Sequence, residues 1–97
     1  MVKKRKLWSL LKQIPKGKVT TYGKLACMVG TSPRGVGAML HSNPDPDDIP
    51  CFKVVMSDGS IGGFGRGVKD KVRRLKQDGV SVKQGKIADF EARLYEF

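Results

Sequence analysis

Apolar positions recur at helical spacing near the start of the chain. Leu7, Leu10, Leu11 and Ile14 share one face, with Trp8 at its edge, which predicts an amphipathic helix over 2–14. Pro15 and Gly17 break it. Thr21 is an N-cap for a second helix over 22–29, whose apolar side is Leu25, Met28 and Val29 and which places Cys27 in the core. Gly30 ends that helix. Ser32 caps a third, running from Pro33 to about Ser42, with proline at the first helical position, where its missing N–H costs nothing. The run from His41 to Cys51 is loop, because three prolines and three aspartates interrupt any period. From Cys51 to Phe64 the pattern changes to a β-hairpin, with Val54 and Val55 in one arm and "SDGS" at the turn. A fourth helix over 68–78 directs Val68, Val72 and Leu75 inward and Lys69, Lys71, Arg73, Arg74 and Lys76 mostly outward. "VSVKQGKI" reads as a small hairpin turning at Gln84-Gly85. Asp89 caps a last helical turn that buries Phe90, Leu94 and Tyr95.

Two short helices around a glycine turn, followed by a hairpin, make a helix-turn-helix with a wing. The expected fold is an α-rich α+β single small winged-helix domain spanning 1–97. Gly35 and Gly37 lie inside the presumptive recognition helix, each costing roughly 1 kcal/mol relative to alanine. Two causes fit: tight packing on another helix, or close approach of that backbone to a partner.

Charge sharpens the choice. Nineteen Lys and Arg face nine Asp and Glu, a formal net charge of +10. A polyanion, most often nucleic acid, is the partner such an excess implies, although charge can also serve dispersal alone. Lys3, Lys4, Arg5 and Lys6 suit either a solvated helix end or a phosphate contact. No apolar run is long enough to span a membrane. Nor is there a signal-peptide cleavage pattern, so the reading is an intracellular, cytoplasmic, monomeric protein. Two cysteines and one histidine give no disulfide framework and no metal-ligand spacing, so no metal is expected. "GGFGRG" lacks the context of a phosphate-cradling loop.

Three segments in order carry a more specific message: "IPKGKVTTYGKLA", "PRGVGAMLHSNP" and "IPCFKVVMSDGSIGGFGRG". Together they resemble the C-terminal domain of O6-alkylguanine-DNA alkyltransferases and the alkyltransferase-like proteins, over roughly residues 6–80. Spacing from Arg34 through Asn43 to Cys51 fits without gaps; the turn between Tyr22 and Arg34 is slightly shorter than usual. The resemblance implies a cofactor-free, single-use reaction on double-stranded DNA carrying alkylated guanine, in which the base is flipped out and its alkyl group moves to a cysteine. It makes Cys51 the acceptor. Arg34 fills the space left by the flipped base, Tyr22 crowds the target phosphate, and Asn43 is the hinge bracing the recognition helix. Gly35, Gly37 and Ala38 let that helix sit close in the minor groove, with His41 facing the DNA. Leu40, Pro46, Ile61, Gly62, Gly63, Phe64 and Gly65 wall the base pocket.

The departures from the family pattern concern proton handling. The family reads Pro-Cys-His-Arg, its histidine oriented by a downstream glutamate; here Phe52 and Lys53 follow Cys51, and Asp78 stands at the glutamate position. Phe64 replaces a tyrosine. An unassisted thiol is only about 3% thiolate at neutral pH. Losing the relay therefore slows transfer by one to two orders of magnitude, roughly 1.4–2.8 kcal/mol. Lys53 and Asp78 are candidates for tuning the thiol, and His41 is the alternative base. Three readings stand: an active alkyltransferase, a non-enzymatic lesion binder that flags alkylguanine for a repair-protein partner, and a generic winged-helix regulator. Alongside them stands the plain one, in which Cys51 is a packed thiol beside Phe52.

Overall fold

The computed structural model describes residues 2–45, 48–62 and 68–97. Helix α1 (Val2–Gln13) is followed by strand β1 (Thr20–Thr21), helices α2 (Tyr22–Val29) and α3 (Pro33–His41), and a 3-10 turn at Cys51–Lys53. Strand β2 (Val54–Val55), helix α4 (Val68–Gln77), the hairpin β3 (Val82–Lys83) and β4 (Lys86–Ile87), and the one-turn helix α5 (Phe90–Arg93) complete it. The expected α-rich architecture is the one observed, but the wing is the β3–β4 hairpin and not the segment after Cys51.

The helix-turn-helix is built by local chemistry. Thr21 Oγ1 accepts the Lys24 N–H at 3.1 Å and opens α2; Ser32 Oγ accepts the Gly35 N–H at 3.0 Å and opens α3. Between them Gly30 adopts the left-handed conformation (φ 84°), so that its N–H and that of Thr31 both close on the Ala26 carbonyl at 2.9 Å. A β-carbon is disfavoured at that φ.

The segment after Cys51 departs from expectation. The turn at 56–60 forms, with Met56 N–H on the Ser60 carbonyl at 2.8 Å and the Ser60 N–H on Asp58 Oδ1 at 2.9 Å. Among the described residues its two arms do not pair with each other in a ladder. Val54 and Val55 run parallel to Thr20 and Thr21, while Ser60 bridges to Lys86 and the Ile61 N–H donates to the Gly85 carbonyl at 3.0 Å. Both valines are fully buried, which suits an interior parallel strand covered on both faces rather than a half-exposed hairpin arm. Residue 19 is held on its other side, exchanging bonds with the Arg93 carbonyl and the Tyr95 N–H, both at 2.8 Å.

Strand β2 also divides the core. Successive side chains point to opposite faces. Val54 joins Leu7, Leu11, Leu25, Val36 and Cys51 among the helices; Val55 joins Val19, Leu75, Val80 and Ile87 beneath the wing. The wing turns at Gln84 and Gly85, both at positive φ (52° and 76°), as a tight antiparallel hairpin requires.

Four further expectations are corrected. Lys71, assigned an outward position on α4, is fully buried, whereas Val68 is half exposed. Cys27 is exposed, not core, because α2 buries Leu25, Ala26 and Val29 on its opposite side. Asp89 makes no side-chain cap; it enters α5 in the left-handed conformation (φ 54°). Phe90, Leu94 and Tyr95 are only partly buried, since one helical turn cannot cover three large side chains.

A buried ion pair ties the halves together. Lys53 Nζ donates to the Ile14 and Pro15 carbonyls at 3.1 and 3.0 Å and lies 3.2 Å from Asp78 Oδ2, which also accepts the Gly17 N–H at 3.0 Å. The two side chains are 5% and 16% exposed, so removing one leaves the other charged and desolvated. Asp78→Ala is expected to lower the unfolding free energy by about 2–4 kcal/mol, and Asp78→Asn, which keeps an acceptor for Gly17, by less. Urea denaturation of the two variants reads the difference.

Candidate functional site

Helix α3 separates two kinds of side chain. Val36 is buried and Met39 and Leu40 pack partly against the helical core, while Arg34, Ala38 and His41 are exposed. Positions 34, 38 and 41 are one stripe at helical spacing, with Gly37 beside it. The two glycines differ in cause. A β-carbon at Gly35 would overlap Thr31 Oγ1, so that glycine serves the turn. At Gly37 a β-carbon would meet nothing within 4 Å among the described residues, so no packing against them requires that glycine.

Asn43 connects the end of α3 to the cysteine turn. Its Nδ2 donates to the Ile49 carbonyl at 2.9 Å and its Oδ1 accepts the Asp45 N–H at 3.0 Å. The Ile49 carbonyl also takes the Cys51 N–H at 2.8 Å. One side chain thus fixes the spacing between the exposed stripe and the thiol, two residues beyond Ile49.

Cys51 is a free thiol, 7% exposed. Tyr22, at the first position of α2, is partly buried nearby; burial raises its phenol above the usual range, and the Cys51 sulfur, when charged, raises it further. Lys71 reaches the same place from α4. Its Nζ donates to the Val54 carbonyl at 2.7 Å and to that of Ile61, and stands 6.0 Å from the centre of the Tyr22 ring. Burial lowers the Lys71 ammonium to about 8, opposed by the charge on Cys51. Cys51 thus acts electrostatically on both the phenol and the ammonium. Lys71 was missed because lysine on a basic helix is ordinarily solvated. The signal was its spacing: it sits four residues before the buried Leu75, on the apolar face.

The remaining expected residues lie as follows. Lys53 and Asp78 are bound to each other and to the Pro15–Gly17 turn, so both serve that brace instead of reaching toward the thiol. Phe52, at the histidine position, packs partly against the wing-side core, and His41 is exposed on α3. Ile61 is buried in the wing-side core. Gly62 (φ 70°) lies against Met56 and the Tyr22 ring; a β-carbon there would come within 3.4 Å of Met56 and 3.7 Å of Tyr22. Pro46, Gly63, Phe64 and Gly65 lie outside the described residues. Among the described residues no group of three or more His, Cys, Asp and Glu could hold a metal. Nor, among them, is any helix long and apolar enough to cross a membrane.

Residues 3–80 match the family model of the 6-O-methylguanine DNA methyltransferase DNA-binding domain. The chain belongs to this family. It is 52% identical over 83 residues to a bifunctional methyltransferase/endonuclease of Picrophilus torridus, covering 84% of this chain and 28% of that protein. The crystal structure of O6-methylguanine-DNA methyltransferase from Pyrococcus kodakaraensis aligns with a TM-score of 0.73 at 41% identity, over 79% of this chain and 46% of that one. The structure of S. pombe Atl1 in complex with damaged DNA containing O6-carboxymethylguanine aligns with a TM-score of 0.83 at 27% identity, over 98% of this chain and 95% of that one. The chain spans less than half the length of the first two proteins and nearly all of the third. It is accordingly a member of the alkylguanine DNA repair family with the helix-turn-helix domain of that family.

The open β-carbon position at Gly37 gives a direct expectation. Gly37→Ala should stabilise the free protein by up to about 1 kcal/mol, the helix-propensity difference. Gly35→Ala, which forces Thr31 to move, should gain less or lose stability. Thermal unfolding monitored by circular dichroism compares them.

Proposed function

We propose that this chain repairs O6-alkylguanine in double-stranded DNA by taking the alkyl group onto Cys51. The observation that carries the reading is a buried free thiol joined through Asn43 to an exposed stripe that begins at Arg34. Helix α3 enters the minor groove with Gly37 and Ala38 against the backbone, Tyr22 crowds the phosphate, and Arg34 occupies the gap left by the flipped base. The Cys51 thiol loses its proton, the sulfur attacks the alkyl carbon in line, and the carbon–oxygen bond breaks with its electron pair on guanine. Guanine takes up one proton, so the products are a thioether and an unmodified base. No cofactor or metal takes part in the step. The protein acts as a monomer and once per lesion.

A second reading rests on its own observation. Phe52 is packed where the family places its histidine, which favours a lesion binder that recruits other repair factors. The full-length likeness to S. pombe Atl1 supports it, and the fused endonuclease of the P. torridus relative indicates the kind of partner involved.

Mass analysis of the Cys51 peptide after incubation with O6-methylguanine duplex separates the two. Transfer gives one methyl on Cys51, lost in Cys51→Ala. Tight lesion binding with no added mass, unchanged in Cys51→Ala, selects the binder instead. In either case Arg34→Ala should weaken the preference for damaged over intact duplex by several-fold while leaving most non-specific affinity; equal loss on both contradicts the finger role. Binding that neutralises about five phosphates should weaken with salt at a log–log slope of −4 to −5, measured by fluorescence anisotropy.

A further inference from the structure

We infer that the β3–β4 hairpin is a second contact with the DNA backbone, in which Lys83 and Lys86 form a basic face that takes phosphates of the duplex. The inference rests on the reading of this chain as a binder of damaged duplex and extends the bound surface beyond the helix-turn-helix.

The hairpin has two unlike faces. Val82 pairs with Ile87, and Lys83 with Lys86. Cross-strand partners share a face, and successive residues alternate between faces. Ile87 is buried and Val82 partly buried on the wing-side core, while Lys83 and Lys86 are both exposed on the opposite face. Like charges directly opposite one another destabilise a hairpin, so folding does not call for this pair. An anion set between the two ammoniums turns their repulsion into attraction. The Lys86 charge also acts on Asp58, whose carboxyl is held below the usual range chiefly by the Ser60 N–H at 2.9 Å. One carboxylate against two ammoniums leaves the face positive.

Placement selects the partner. The outer edge of β4 is taken: Ser60 bridges to Lys86, the Ile61 N–H donates to the Gly85 carbonyl at 3.0 Å, and the Ile87 N–H donates to the Gly59 carbonyl at 2.9 Å. The hairpin is thereby fixed to the segment 59–62. That segment in turn sits on the first turn of α2. A β-carbon at Gly62 would come within 3.7 Å of the Tyr22 ring, and one at Gly23 within 3.4 Å of Ser57 Oγ. Tyr22 crowds the target phosphate in the proposed function, so the basic face of the hairpin continues a backbone path that begins there. A line of phosphodiesters is the anion that suits such an anchored, exposed face, since phosphate contacts fix position and carry no base sequence. The hairpin lies beyond residues 3–80, which match the DNA-binding domain of the family.

The test is fluorescence anisotropy with O6-methylguanine and intact duplexes across a salt series. Wild type is compared with Lys83→Gln/Lys86→Gln and with a charge-matched control, Lys16→Gln/Lys76→Gln, whose lysines are exposed after α1 and on α4. Neutralising the hairpin pair should weaken binding to both duplexes alike, by about tenfold at about 0.1 M salt, and flatten the log–log salt slope by about 2, one phosphate lost per lysine. The control should change either quantity much less, and Lys83→Arg/Lys86→Arg should keep the wild-type slope. Equal losses in the two glutamine pairs overturn the inference, because net charge then accounts for the effect; so does an unmoved slope in the hairpin pair. Acetylation of wild-type lysines by acetic anhydride, read by mass with and without duplex, needs no variant to fold. DNA should protect Lys83 and Lys86, and undiminished reactivity in the complex overturns the inference. Binding that depends on the hairpin pair but shows no preference for O6-methylguanine keeps this inference and loses the lesion reading; lesion preference with an unmoved slope does the reverse. A wild type that binds neither duplex overturns both.

Discussion

A lysine ammonium buried without solvent holds the centre of this molecule. Lys71 grips the Val54 and Ile61 carbonyls at the boundary between two small cores. Those carbonyls belong to segments that pair elsewhere, Val54 with Thr20 and Ile61 with Gly85, so one side chain links the strand under the helices to the wing. A chain of this size has few apolar residues to spend on two cores. Polar cross-links at their junction do what a larger core would otherwise do, and they are directional, which fixes the turn containing Cys51.

The same logic explains what became of the proton-handling positions. Asp78, where the family places a glutamate, binds Lys53 and the Gly17 N–H. Phe52 fills apolar space on the wing side. What would elsewhere be a relay is here a brace between the end of α1, the cysteine turn and the end of α4. The exposed stripe on α3 needs none of these groups and keeps its own geometry, set by the Ser32 cap, the Gly30 turn and Asn43.

Much of the fold was legible where the cause was local. Caps at Thr21 and Ser32, the glycine after α2, the proline opening α3 and the Gln84-Gly85 turn each act within four residues, and each appears where the pattern put it. Misreadings came where the cause was distant. Val54 and Val55 announce a strand but not its partner, which is some thirty-four residues upstream in the register of Thr20 with Val54. Cys27 sits on a helix too short for the period to separate its faces. Lys71 sits at an apolar-face position by spacing, and its charge argued it outward; the two carbonyls that make burial tolerable come from other segments.

The sequence alone determined the helix-turn-helix, the basic character and the order Tyr22, Arg34, Asn43, Cys51, because spacing along the chain encodes local structure and motif order. Tertiary structure alone decided what surrounds the sulfur. The Lys71 ammonium and the Tyr22 phenol, far apart in the chain, come together only when β2 pairs with β1 and α4 folds back over the turn. Burial, which only the folded chain provides, is what raises the Tyr22 phenol and lowers the Lys71 ammonium.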